Sequence, residues 1–152
     1  MRPICIIDTT IFCEILQVAH KSDKQKATKV REELIAKSQS ESLLLPMTTV
    51  LETGNHIGQN GDGTLRRKTA QRFVEQVKRA LDGTAPFVVT PMLDRARLVA
   101  LLETFPDWVQ QKSGLGDLTI RDVFDQQCAL SPNRLVYIWS MDTHLQSYRH
   151  EP

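Results

Sequence analysis

Ile4-Cys5-Ile6-Ile7-Asp8-Thr9-Thr10-Ile11-Phe12 is the stretch that decides the fold. Four apolar, largely β-branched residues end at an aspartate, and two threonines then lead into a helical pattern. A continuous apolar run of this length predicts a parallel strand buried on both faces. In open α/β sheets the ligand crevice lies beyond the carboxyl ends of the strands, so Asp8 is expected at that mouth. If the mouth is a site, the rest of the chain should bring further polar groups to Asp8.

The bulk numbers define the setting. With 152 residues, 41% hydrophobic and 24% charged, the chain predicts one domain, 1–152, with an ordinary buried core. A net charge of +1 supplies no global field for a polyanionic partner, so any basic surface must be local. Cys5, Cys13 and Cys128 are odd in number, form no CxxC pair and sit in apolar patterns. They read as reduced, buried thiols of a cytoplasmic protein, which argues against metal binding through sulfur. The apolar start is too short for a signal peptide, and no run approaches the ~18 apolar residues of a membrane span.

Along the chain, strands and helices alternate. The segment 10–19 predicts a helix with Ile11, Ile15, Leu16 and Ala19 on one side. Lys21 to Lys37 predicts an amphipathic helix whose stripe is Ala27, Val30, Leu34 and Ile35. Leu43-Leu44-Leu45, closed by Pro46, is a second strand. Met47, Val50, Leu51 and Gly54 then continue at helical spacing, with Glu52 at the margin of the stripe and Thr48, Asn55 and His56 on its face. Gly58 to Gly63 is a loop, and its glycines match no phosphate-loop pattern. Leu65 to Leu81 predicts a helix with Phe73, Val77 and Leu81 inward. Phe87-Val88-Val89 is a third strand, Leu93 to Phe105 a strongly apolar helix, and Asp117 opens a helix with Ile120, Val123, Phe124 and Cys128 inward. Leu135 to Trp139 is a fourth strand, followed by Ser140-Met141-Asp142. This alternation predicts an α/β fold: a three-layer α/β/α sandwich around a central parallel sheet of four to five strands.

Four acids stand at comparable places. Asp8 and Asp142 each follow a strand, Asp117 opens a helix behind a glycine-containing loop, and Glu52 lies early in the helix after the second strand. With the strands parallel, all four converge at one edge of the sheet. Clustered carboxylates supply the hard oxygen ligands that Mg²⁺ or Mn²⁺ takes. Each acid also reads as helix chemistry: Asp8, Asp117 and Asp142 as N-caps, and Thr49-Val50-Leu51-Glu52 as a capping box.

The order and context of these acids resemble the PIN domain, the nuclease fold of VapC-type toxins and related RNA-processing enzymes. Ile6-Ile7-Asp8-Thr9 resembles its first motif, Thr49 to Ile57 with Glu52 its second, and Gly116-Asp117-Leu118-Thr119 its third. Ile138 to Asp142 resembles the fourth, with Ser140 where the family usually has threonine. The resemblance spans nearly the whole chain and implies a metal-dependent endoribonuclease, in which Asp8, Glu52, Asp117 and Asp142 hold Mg²⁺ or Mn²⁺ and act on an RNA substrate. It implies that Thr9 and Ser140 orient these carboxylates. A toxin of this type would have a small antitoxin protein as partner and would form a homodimer. The chain ends within a dozen residues of Asp142, so the family's last strand is expected to be very short or missing. A PIN-like module that binds RNA or protein without cutting is the alternative. A phosphatase of the haloacid dehalogenase type would need an aspartate where Thr10 stands.

Five further expectations concern particular residues and faces. Arg121, one turn beyond Asp117, would orient it or contact phosphate, or else be a solvated arginine. Asp122 would point about 140° away from Asp117 and take no part. His56, one turn beyond Glu52, would reach a scissile phosphate or, the favoured reading, hydrogen-bond on the helix side. Arg66, Arg67, Lys68 and Arg72, with Lys78 and Arg79, form a basic face that would either track an RNA backbone or be a solvated helix surface, and Arg95 and Arg97 would extend it. Trp108 and Trp139 read as core.

Overall fold

The computed structural model describes residues Met1–Pro152. Its elements alternate as β1 (Ile4–Ile7), α1 (Thr9–Leu16), α2 (Lys24–Ser40), β2 (Ser42–Pro46), α3 (Met47–Gln59), α4 (Gly63–Asp82) and β3 (Phe87–Thr90). After these come α5 (Arg95–Trp108), a 3₁₀ turn (Val109–Gln111), α6 (Leu115–Leu130), β4 (Val136–Trp139), α7 (Thr143–Gln146) and β5 (Arg149–His150). The sheet order is β3-β2-β1-β4-β5. The first four strands are parallel, and β5, only two residues long, pairs antiparallel with β4. The sheet is therefore mixed, and its final strand is very short, as expected.

β1 lies between β2 and β4, and all four of its residues are buried. Alternate side chains of a strand point to opposite faces, so β1 feeds two cores. Cys5 and Ile7 pack with Phe12, Val30, Val50 and Ala80 from the helices of one layer. Ile4 and Ile6 pack with Ile120 and Phe124 of α6 and Leu145 of α7 on the other. Helices thus cover both faces, and a strand with no wet side must be apolar throughout. Phe12 is fully buried and meets Phe87 edge to face at 5.8 Å between ring centroids. No helix is long and apolar enough to cross a membrane.

Several expectations about faces are corrected. Ile35 and Leu81 are not inward but exposed, because Ala27 and Val30 carry the contact of α2 while Ala80, Phe73 and Val77 carry that of α4. α5 is apolar yet buries only Leu101 and Trp108, leaving Leu98, Val99 and Leu102 exposed. Asp122 is buried, as its position facing away from Asp117 allows. It is held by Arg97, whose Nε donates to Oδ2 at 3.0 Å. Arg97 is thereby spent on an ion pair and does not extend the basic face. Cys5 and Cys13 are buried free thiols, pushed up to about 12 and about 11 by desolvation, while Cys128 is only half-buried.

Candidate active site

The sheet changes direction at β1: β2 and β3 lie to one side, β4 and β5 to the other. Such a switch point opens a crevice at the carboxyl edge. A cleft of about 430 Å³ lies there, and Asp8, Glu52, Asp117 and Asp142 all line it. They arrive on four different elements. Asp8 follows β1, with its N–H donating to Trp139 O at 3.0 Å, and Asp142 follows β4. Glu52 is in the second turn of α3, directly after β2, and Asp117 is the third residue of α6.

Each acid is held differently. Asp8 is almost fully buried and caps α1. Its Oδ2 accepts from Thr10 Oγ1 and from Ser140 Oγ, both at 2.7 Å, leaving Oδ1 with no protein partner. Ser140 also accepts the N–H of Asp142 at 2.9 Å, and so couples the two strand ends through one hydroxyl. Asp142 caps α7 through Oδ1, which accepts His144 N–H at 2.9 Å. Thr9 turns to Glu52 rather than to its neighbour Asp8, donating to Oε1 at 2.7 Å. Ser140→Ala removes a buried donor to a carboxylate, and it is expected to destabilise the fold by about 1–2 kcal/mol in urea melts.

Glu52 belongs to no capping box. α3 starts at Met47, straight from β2 with Pro46 as N-cap, so Thr49 is already inside the helix. There it is fully buried and donates to Ile7 O at 2.8 Å, fixing α3 on the end of β1. The helices α3 and α6 touch through the hydroxyls of Thr48 and Thr119 at 2.7 Å. They come so close that a Cβ on Gly116 would lie 2.4 Å from Glu52 Oε2. Glycine at 116 is therefore what lets Glu52 stand beside Asp117.

Asp117 makes no side-chain hydrogen bond and is not an N-cap; Gly114 holds that position. Its carboxyl is pushed up to about 6, first by burial, then by the charges of Asp8, Glu52 and Asp142. Trp108 secures the turn before it, its indole N–H donating to Gly114 O at 2.9 Å. Arg121 does not orient Asp117. It lies 3.4 Å from Asp125 and over the rings of Trp108 and Tyr148, which come from distant segments. His56 lines the cleft, but its Nδ1 is buried without a partner, so the expected bond to its own helix is not made.

The basic face of α4 is not part of the cleft. Arg66, Arg67 and Lys68 are exposed, whereas Arg72 is tied inward, donating to Leu16 O at 2.9 Å instead of standing free on the basic face. Sequence reasoning missed Thr10, Glu14, Lys21 and Lys26, which all line the cleft. Thr10 was within reach: an N-capping aspartate approaches the N–H two residues on, so a hydroxyl there meets the same oxygen. The lysines gave no comparable signal, since their placement depends on how the loop before α2 folds.

No three Asp, Glu, His or Cys side chains stand grouped to hold one metal ion. Comparison with family models, curated proteins and solved structures found no match.

Proposed function

We propose that the chain is a PIN-type, metal-dependent endoribonuclease that hydrolyses RNA phosphodiester bonds in the carboxylate cleft. The observation that carries this reading is the meeting of Asp8, Glu52, Asp117 and Asp142, from four segments, in one cleft at the switch point of the sheet. Helix capping accounts for Asp8 and Asp142 but gives no reason for them to share a cavity with Glu52 and Asp117. Nor does it account for Asp117, a half-buried carboxyl without a hydrogen bond among three others.

The donor set fits Mg²⁺ or Mn²⁺. It is all carboxylate oxygen, and Mg²⁺ is commonly bound by only one or two carboxylates plus waters and substrate phosphate. A set of three preformed ligands is therefore not required. Asp8, with Oδ1 free of protein partners, and Asp117 would hold the ion, with Glu52 and Asp142 acting through water. When bound, such an ion lowers the pKa of a water and offsets charge on the phosphodiester. The protein's own part is orientation: Thr10 and Ser140 fix Asp8, Thr9 fixes Glu52, and Trp108 fixes the turn that carries Asp117. A toxin role, with a small antitoxin as partner and a homodimer as assembly, rests on the family resemblance alone.

Incubating the purified chain with single-stranded RNA and Mn²⁺ tests the reading. Cleavage is expected, stopping when EDTA is added. Undiminished cleavage in EDTA would count against it. The second reading is a PIN-like module that binds RNA or protein without cutting, which would need no grouped ligands at all. Tight RNA binding with no cleavage under any divalent ion would establish that one instead.

A further inference from the structure

An acidic cleft that takes a polyanion needs cations where the chain of phosphates enters. Five carboxylates line this one, counting Glu14, and its only cationic side chains are Lys21 and Lys26. We infer that Lys21 and Lys26 form a phosphate-binding wall of the cleft, gripping the RNA backbone beside the bond to be cut. This rests on the nuclease reading above.

Three observations carry the assignment. The two lysines line the same cavity as the four acids, so a backbone lying over the carboxylates comes within their reach. Both are exposed, and neither side chain makes an ion pair or a hydrogen bond, whereas Lys29 and Lys37, further along α2, are paired with Glu33 and Glu41. The loop that presents them is firmly built. Glu14, almost fully buried, accepts Ser22 Oγ at 3.2 Å and the Asp23 N–H at 3.2 Å. Asp23 in turn caps α2, accepting the N–H groups of Gln25 and Lys26. A buried carboxylate spent on holding a loop costs desolvation, and its return here is a fixed place for two free ammonium groups.

The same loop gives the strand a direction. A Cβ on Gly61 would lie 3.2 Å from Ala19 Cβ, so the loop abuts the start of α4, where Arg66, Arg67 and Lys68 are exposed. The backbone would leave the cleft past Lys21 toward these residues.

The test measures binding of a fluorescein end-labelled single-stranded RNA by anisotropy, in EDTA, across a range of salt concentrations. The double substitution Lys21→Ala/Lys26→Ala is expected to weaken binding roughly tenfold at low salt and to flatten the log–log salt slope by about 1.4, two phosphate contacts. Lys24→Ala/Lys29→Ala, which removes equal charge from α2 outside the cleft, is expected to change neither by more than about twofold. Lys21→Arg/Lys26→Arg is expected to restore the slope, which a merely structural role would not do. Equal binding by the two double alanine variants would overturn the lysine wall and leave the nuclease reading standing. A parent chain that neither binds nor cuts RNA would overturn the nuclease reading, and the wall with it.

Discussion

Asp117→Asn is expected to melt higher than the parent chain while losing RNA cleavage by at least about a hundredfold, the upper end of what is lost when only a supporting group around a metal is removed. The sign of the stability change separates a functional acid from a helix-capping one. Loss of a favourable charge in the first turn of α6 would cost about 0.3–1 kcal/mol. Against this stands the carboxyl's own penalty. It ionises near pH 6 in the fold, against 3.8 for an ordinary aspartate, because it is half-buried and faces Asp8, Glu52 and Asp142. A raised acid pKa means the folded state holds its proton longer than the unfolded state, so stability falls as pH rises through this window. The full shift would correspond to about 3 kcal/mol at neutral pH, and half exposure reduces it to on the order of 1–2 kcal/mol. Repulsion therefore wins over the helix dipole. The variant should gain about 2–4 °C at pH 7.5 in EDTA, and the gain should shrink as pH falls from about 6 and vanish by about pH 3, where the carboxyl is protonated in folded and unfolded chains alike. Mn²⁺ should raise the melting temperature of the parent more than that of the variant. A variant that melts lower at pH 7.5 would return Asp117 to an ordinary helix-terminal role.

Asp8 and Asp142 show why the sequence could not choose between capping and a site. Both cap helices, as their positions after strands suggest, yet each cap occupies only one carboxylate oxygen. Asp8 takes its cap and two hydroxyls on Oδ2, and Asp142 takes its cap on Oδ1. The remaining oxygens are free for the cleft, so the two readings coexist in one side chain. Capping here fixes the rotamer that a binding role would need.

What was legible followed from local rules. β1, its burial on both faces and the acid at its mouth are written in one apolar run, and the alternation of periods implied that the first four strands run parallel, though not their order. Misreadings arose where distant segments decided the outcome. The box at Thr49 failed because β2 passes into α3 without a loop, which makes Thr49 the third helical residue, bonded to the end of β1, instead of the N-cap. Arg121 lies one turn from Asp117, but Trp108 and Tyr148, from distant segments, pack under its guanidinium and Asp125 pairs with it. α5 carries an apolar pattern of which the fold covers only Leu101 and Trp108, and its periodicity does not show that Leu98, Val99 and Leu102 stay exposed. Lys21 and Lys26 were invisible because Glu14, not their own spacing, brings them to the cleft.

Gly116→Ala is expected to leave the fold as stable as before or slightly more so, and to reduce cleavage at least about tenfold. Within the first turn of α6 an alanine is worth up to about 1 kcal/mol over glycine, because it restricts the unfolded chain. The added methyl would meet Glu52 Oε2 at 2.4 Å and Cδ at 2.9 Å, distances that no packing tolerates. The atoms in its way are the far end of a flexible side chain, not backbone, so the clash is relieved by swinging Glu52 out. That movement breaks the 2.7 Å bond from Thr9 and takes one carboxylate from the cleft. The exposed alternative for Glu52 costs little, since the carboxylate regains water and escapes Asp117. Loss of the Thr9 bond, about 1 kcal/mol, then roughly cancels the gain from alanine. If Glu52 contributes to cleavage, the outcome is a protein that folds normally and works poorly. Parent-level cleavage by a normally folded Gly116→Ala chain would remove Glu52 from the site, and with it the reason for a glycine at this contact.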